Sequence, residues 1–473
     1  MKILFIYPNA NRDILSWADT GAISEPIALE YLATIALEEK HDVKILDLRL
    51  HWQDLDTVLQ SYRPDFVGIT GYSMHVPRMI EIATTAKEYL PNCWVSVGGH
   101  HATLEPIDFQ EPCIDSITCG EGTVPLRALL QKISEKRSEI SIPGVYIRQE
   151  DGSFKYGGNP EPFEINKMPH PTRTLIPEDR SHYYIDWMKP IAMLRTSVGC
   201  PFRCSFCSLW RLMQGQYCIR NNDDVVQELA EIPEKYVFFV DDEPFINANR
   251  MFELAQKIKD SGIKKEYFSY CRIDSLHRNL DLLQTWKEVG LRRLIIGVET
   301  VFEDELKKYN KKYGTEQIVE ALKNAHEIGI PVLCNFIVHP NYTEKRFDDL
   351  IRFIEENNVD HPSFTIWTPL PGTNYEEYNI LYRNPKNGRP AWEYFDLQHA
   401  VIETALPLKE FVKHFDGLYQ RFIAKYMKSQ SPLTVEAVEG KHMTLDDVER
   451  QKKYLENPYM ALAARMLSIH KKK

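Results

Sequence analysis

Over the first third of the chain, short apolar runs alternate with amphipathic stretches. The runs are Ile3–Tyr7, Val43–Leu46, Phe66–Thr70, Trp94–Val97 and Ile114–Cys119, and helix-period patterns at Pro26–Leu37 and Val76–Tyr89 stand between them. A strand covered on both faces reads as a continuous apolar run, whereas a helix laid on a sheet shows one apolar stripe. Residues 1–140 are therefore expected to form an α/β unit, a doubly wound, Rossmann-like parallel sheet. Glycine or polar residues follow the strands, at Pro8-Asn9, Gly71-Tyr72-Ser73, Gly98-Gly99-His100-His101 and Gly120-Glu121-Gly122. Ligands bind at the carboxyl ends of strands in open α/β sheets, so a cofactor is expected across these turns.

Residues 141–189 carry Pro143, Pro160, Pro162, Pro169, Pro171 and Pro177 with Gly152, Gly157 and Gly158, the composition of a hairpin followed by a wrapping linker. Beyond it, Ile191–Thr196, Tyr236–Val240, Tyr267–Cys271, Arg293–Val298, Val332–Val338 and Ser363–Trp367 predict six strands, most followed by a helix. That rhythm over residues 190–375 suggests a partial (β/α)6 barrel. Residues 376–473 turn polar, with amphipathic stretches at Leu408–Tyr426 and Leu445–Leu467, and are expected to form a helical C-terminal cap.

With 473 residues, 43% of them hydrophobic, the chain can fill two or three cores without a disulfide. A net charge of -10 gives no general footprint for nucleic acid, so no nucleic-acid partner is expected. No apolar run approaches the roughly 18 residues a spanning helix needs, and the apolar Ile3–Tyr7 is too short for a secretory core. A cytoplasmic location is expected, where the nine cysteines are reduced thiols or ligands.

Three of those cysteines are closely spaced. Cys200, Cys204 and Cys207 lie in Gly199-Cys200-Pro201-Phe202-Arg203-Cys204-Ser205-Phe206-Cys207, directly after a predicted strand. Three thiolates at this spacing can hold one corner of a [4Fe–4S] cubane and leave its fourth iron open to S-adenosylmethionine. Structural zinc wants a fourth ligand, and the next cysteine, Cys218, stands alone. Cys93, Cys113, Cys119, Cys271 and Cys334 fall in apolar contexts and read as structural thiols.

The C-x3-C-x2-C motif resembles that of the radical S-adenosylmethionine (radical SAM) superfamily. Pro26–Leu32 and the turns after the first strands are similar to the cobalamin-binding domain of its cobalamin-dependent (class B) branch. The resemblance implies cobalamin contacts from Pro8, Tyr72, Ser73, Gly98, Gly99, His100, His101, Glu121 and Gly122. It implies contacts to S-adenosylmethionine from Asp242, Glu243, Arg272, Asp274, Glu299, Asn335 and His339, where carboxylates suit an ammonium or hydroxyl and a guanidinium suits a carboxylate. The bland alternative is a barrel-mouth salt-bridge network. The Asp-x-His-x-x-Gly signature of other cobalamin proteins is missing after the first strand, so no axial histidine is implied there; Tyr72 to His75 could approach the cobalt instead. Pro369-Leu370-Pro371-Gly372-Thr373 matches a segment found after the sixth strand in this branch and reads as a rigid turn.

Cobalamin beside a radical source implies methylation of an unactivated sp3 carbon. Phe395–Val401 and Leu406–Phe411, ending in Gly417-Leu418-Tyr419, resemble the C-terminal stretch of hopanoid C-3 methylases and of the enzyme that methylates a glutamine in methyl-coenzyme M reductase. A protein side chain such as that glutamine is the first expectation and a hopanoid lipid the second. Other rivals are an oxidative cyclase of the magnesium-protoporphyrin ester type and a non-catalytic cobalamin-binding regulator. A methylthiotransferase would need a second three-cysteine cluster, which the sequence lacks. Ferredoxin or flavodoxin is the implied electron donor.

Overall fold

The computed structural model describes residues 1–10, 22–51, 53–135, 140–160, 162–185 and 187–422. Strand β1 (Lys2–Tyr7) lies between β2 (Asp42–Asp47) and β3 (Phe66–Thr70), and β4 (Trp94–Gly98) and β5 (Ser116–Thr118) continue the sheet, all parallel. The first strand is apolar at successive positions because both of its faces are covered. Leu4 and Ile6 pack with the helix Val76–Tyr89, whereas Ile3 and Phe5 pack with the helices Ile27–Glu38 and Thr123–Ser134.

The expected hairpin forms, but it is not a free linker. Its strands β6 (Val145–Arg148) and β7 (Phe154–Tyr156) add to β5 as antiparallel edge strands, so the first sheet has seven strands and extends past residue 140. The rest of the connector clamps both halves through buried ion pairs. Arg180 meets Glu25 at 2.8 Å and Glu234 at 2.6 Å, and Arg173 meets Glu228 at 2.8 Å.

Strands β8 (Ile191–Leu194), β9 (Tyr236–Phe239), β10 (Glu266–Cys271), β11 (Leu291–Glu299), β12 (Val332–Val338) and β13 (His361–Ile366) form a six-stranded parallel sheet in sequence order. Along β12, Val332, Cys334, Phe336 and Val338 pack against the surrounding helices, while Leu333, Asn335 and Ile337 are half-buried on the other face. A single apolar cluster joins Ile191, Phe238 and Phe268 of this sheet to Ile3, Phe5 and Phe66 of the first, so the two sheets share a core.

The segment after residue 374 departs from expectation. Residues 374–407 are irregular, with short 3₁₀ turns at Tyr375–Glu377 and Trp392–Tyr394, because Pro385, Pro390, Asn384, Asn387 and Gly388 favour turns over helix. This strap returns to the first domain. Arg389 pairs with Asp108 at 2.7 Å and Glu105 at 2.7 Å, and Trp392 Nε1 donates to Asp108 at 2.8 Å. Residues 408–422 are helical as expected; the stretch Leu445–Leu467 lies outside the described residues. Among the described residues no helix is long and apolar enough to cross a membrane.

Candidate active site at the cysteine loop

The loop that carries the three cysteines is tied down at several points. Thr196 N and Ser197 Oγ donate to Asp241 at 2.6 and 2.9 Å, and Gly199 N donates to Asp242 Oδ2 at 2.8 Å. Gly199 has φ 87°, and a Cβ there would lie 2.1 Å from the Gln216 carbonyl oxygen, so only glycine fits. Ser205 Oγ donates to the Lys308 carbonyl at 2.8 Å, Asn310 Nδ2 to the Arg203 carbonyl at 2.9 Å, and Trp210 Nε1 to the Cys204 carbonyl at 3.3 Å. Cys204 is buried and its two companions half-buried. Burial pushes the Cys200 thiol up to about 11 and the Cys207 thiol up to about 12. Iron binding must displace those protons, so cluster loading is coupled to pH.

Of the three successive carboxylates after β9, two serve the loop. Asp241 holds Thr196 and Ser197, and Asp242, expected on S-adenosylmethionine, uses Oδ2 for the Gly199 amide. Glu243 is different: it is 1% exposed and neither oxygen has a hydrogen-bond partner. Burial pushes it up to about 8, opposed by nearby Ser275 and Arg272. A buried, unpartnered carboxylate of this kind is the complement an ammonium group requires.

Arg272 follows β10 with Nη1 3.8 Å from Cys204 Sγ and its guanidinium 3.6 Å from the Phe202 ring centre. Its Nε also donates to Asp274 at 2.8 Å, so for this pair the salt-bridge alternative is realised. Glu299 ends β11 at φ 67°, and its side chain folds over Gly297, where a Cβ would lie 2.3 Å from Oε1.

Glu299 pairs with Lys311 at 3.1 Å. Sequence reasoning missed Lys311, because Lys307-Lys308-Tyr309-Asn310-Lys311-Lys312 reads as a solvated charge run. In the fold its side chain is only 3% exposed. Lys311→Met is expected to destabilise the protein by about 3 kcal/mol, the order of penalty for stranding one partner of a buried pair. Thermal denaturation of K311M and of K311M/E299Q checks this, and the double variant should recover most of the loss.

Asn335 lies on the half-buried face of β12. His339, just past that strand, is buried and stacked 4.9 Å from Trp367, with Nδ1 accepting from Asn341 N at 3.2 Å. Burial and the nearby Lys308 ammonium push it down to about 4, so it is neutral at pH 7.

The turns of the first domain face this loop. His100 Nε2 lies 2.9 Å from Oγ of Ser208, the residue after Cys207, and its ring centre is 5.8 Å from the half-exposed Tyr72 ring. Burial pushes His100 down to about 4. Gly98 ends β4 and Gly99 follows it; at Gly99, φ 97°, a Cβ would lie 2.5 Å from Thr70 Oγ1. Gly120 has open space where a Cβ would be, and Gly122 approaches Leu32. Bare glycine backbone, a half-exposed aromatic ring and a neutral imidazole fit the broad, largely apolar face of a corrin.

Three expected cobalamin contacts are hydrogen-bonded within the protein and a fourth, Pro8, is buried. His101 is fully buried, with Nδ1 2.9 Å from Ser73 Oγ and Nε2 3.0 Å from Asp108 Oδ2, so both of its nitrogens are engaged within the protein. Glu121 accepts from Thr123 N at 2.9 Å and Thr123 Oγ1 at 2.6 Å, at the start of the helix Thr123–Ser134. Pro8 is buried. His75 is buried too, and its Nδ1 accepts from Tyr72 N at 3.1 Å.

A three-cysteine loop on the first strand of a parallel barrel, set against a doubly wound domain, defines a cofactor-dependent radical enzyme. Residues 194–354 match the model of the radical SAM superfamily, and residues 17–130 match that of the B12 binding domain. The chain is 31% identical over 436 residues to the hopanoid C-3 methylase of Methylococcus capsulatus, covering 90% of this chain and 81% of that one. It is 30% identical to an uncharacterized methyltransferase of Pyrococcus horikoshii, covering 80% of this chain and 83% of that one. Its fold is similar to that of the radical SAM methyltransferase TsrM of Kitasatospora setae, with TM-score 0.70 and 18% identity over 100% of this chain and 99% of the other. The chain belongs to the cobalamin-dependent radical SAM enzymes, of the methyltransferase type. Its cofactors are a [4Fe–4S] cluster, S-adenosylmethionine and cobalamin.

Proposed function

We propose that the enzyme transfers a methyl group to an unactivated sp3 carbon of an apolar substrate. The observation that carries this reading is the His100–Ser208 contact, which sets the ligand-bearing turns of the first domain against the cysteine loop. When bound, the cluster and S-adenosylmethionine supply a hydrogen-abstracting radical and cobalamin carries the methyl group to be transferred. Cys200, Cys204 and Cys207 hold the cluster. Glu243 receives the ammonium of S-adenosylmethionine; Arg272, in reach of Cys204 Sγ, faces its carboxylate; Asn335 and the Glu299–Lys311 pair orient the rest. Tyr72, Gly98, Gly99, His100, Gly120 and Gly122 form the cobalamin-facing surface.

Phe206, Ile337, Leu370 and Tyr378 are partly buried and pack against one apolar cluster that also holds Trp367 and Trp392. These partly exposed apolar side chains and the hopanoid-methylating relative support a lipid substrate more than the glutamine side chain favoured by sequence. The protein should be turned over anaerobically with methyl-labelled S-adenosylmethionine, a hopanoid and, in parallel, a glutamine-containing peptide of methyl-coenzyme M reductase. Label in the hopanoid is the expected outcome. Label in the peptide alone would reverse the substrate assignment, and label in neither with 5′-deoxyadenosine still formed would favour oxidative chemistry.

A further inference from the structure

The chain carries ten more acidic than basic residues, yet the outer side of its cysteine loop is basic. Arg203 and Arg211 are exposed and lie 5.6 and 4.6 Å from the Trp210 ring centre. Lys307, Lys308 and Lys312 are exposed on the segment that Ser205 and Asn310 bind to that loop. Among the described residues none of the five makes an ion pair with a carboxylate, although the Lys307 charge acts on Glu303 one turn back on the same helix and Lys308 Nζ lies 3.4 Å from His339 Nε2. Behind them Trp210 Nε1 donates to the Cys204 carbonyl, so the patch stands one side chain from the thiols.

We infer that this patch docks an acidic, low-potential one-electron carrier protein of the flavodoxin or ferredoxin kind, an inference that rests on the cluster assignment above. One electron leaves the reduced carrier and enters the cluster, so the carrier is oxidised as the cluster is reduced and no proton need move. Complementary charge steers such an encounter, and the short path behind the patch suits electron transfer. A membrane surface would also attract cations, but interfacial sites set exposed apolar anchors among them. Here the large apolar side chain, Trp210, is covered by guanidinium groups.

The test uses the cluster-loaded protein and its Arg211→Glu/Lys307→Glu variant, with Arg211→Lys/Lys307→Arg as the conservative control. Stopped-flow absorbance follows cluster reduction by flavodoxin hydroquinone and, separately, by dithionite. At low salt the reversed-charge variant should be reduced by flavodoxin about tenfold more slowly or worse, the gap closing as salt rises. Its cluster absorbance and dithionite rate should equal those of the parent, and the conservative control should keep the parent flavodoxin rate. An unchanged flavodoxin rate, or an equal loss with dithionite, overturns the docking site. So does loss of binding to phosphatidylglycerol vesicles with the flavodoxin rate intact, which would make the patch a membrane surface. Absence of cluster absorbance in the parent would instead overturn the cluster assignment.

Discussion

Replacing Cys204 by alanine should abolish 5′-deoxyadenosine formation and strip most of the iron from the protein. Cys204 is the buried member of the trio, its carbonyl is held by Trp210, and its sulfur lies 3.8 Å from Arg272. Two remaining thiolates leave two irons without protein ligands, which a cubane with one designed open site does not survive. The fold should persist, because the loop is fixed by Asp241, Asp242 and Lys308 rather than by the sulfur. Iron analysis and product chromatography on the anaerobically reconstituted variant check this. Full cleavage activity with full iron content would remove the cluster from these cysteines.

The second large effect is expected at Glu243. Its folded-state pKa of about 8 lies above the ordinary carboxylate value of 4.5. Between those pH values the folded protein keeps a proton that the unfolded chain has lost, so without S-adenosylmethionine stability declines as pH rises across this window. For one proton the slope is at most about 1.4 kcal/mol per pH unit. Glu243→Gln removes this contribution, so the stability difference between parent and variant should shift steadily in favour of the variant from pH 5 to pH 8. The same change leaves the ammonium of S-adenosylmethionine without its counter-charge. Affinity should fall by about a hundredfold or more, matching a penalty of about 3 kcal/mol for a stranded charge. Thermal melts over pH and equilibrium binding of S-adenosylmethionine read the two effects. A variant with parental affinity would show that the ammonium binds elsewhere.

Strand periodicity was legible because burial writes it into the sequence. The runs at Ile3–Tyr7 and Val332–Val338 are apolar for reasons local to each strand, and both emerge as strands over those or nearly those residues. The cysteine motif was legible because cluster chemistry fixes spacing as well as residue type. What was hidden depends on distant partners. Nothing near Lys311 says that its neighbours stay in solvent while it turns inward to Glu299. His101 looks like a cofactor ligand until Asp108 and Ser73 are found at its two nitrogens. Asp242 and Glu243 are adjacent carboxylates, and only the fold shows that one is bonded to the Gly199 amide while the other is left without a partner. The strap after residue 374 was misread as helical because its polar composition says little about where it docks, which Arg389 and Trp392 decide.

In the proposed mechanism one protein couples radical generation at the cysteine loop to methyl transfer from cobalamin on the first domain. Co-product stoichiometry during anaerobic turnover with substrate reads that coupling. Each methylated product should be accompanied by one S-adenosylhomocysteine, from the molecule that provides the methyl group, and one 5′-deoxyadenosine, from the molecule that provides the radical. Substrate-dependent 5′-deoxyadenosine without S-adenosylhomocysteine or methylated product would contradict it.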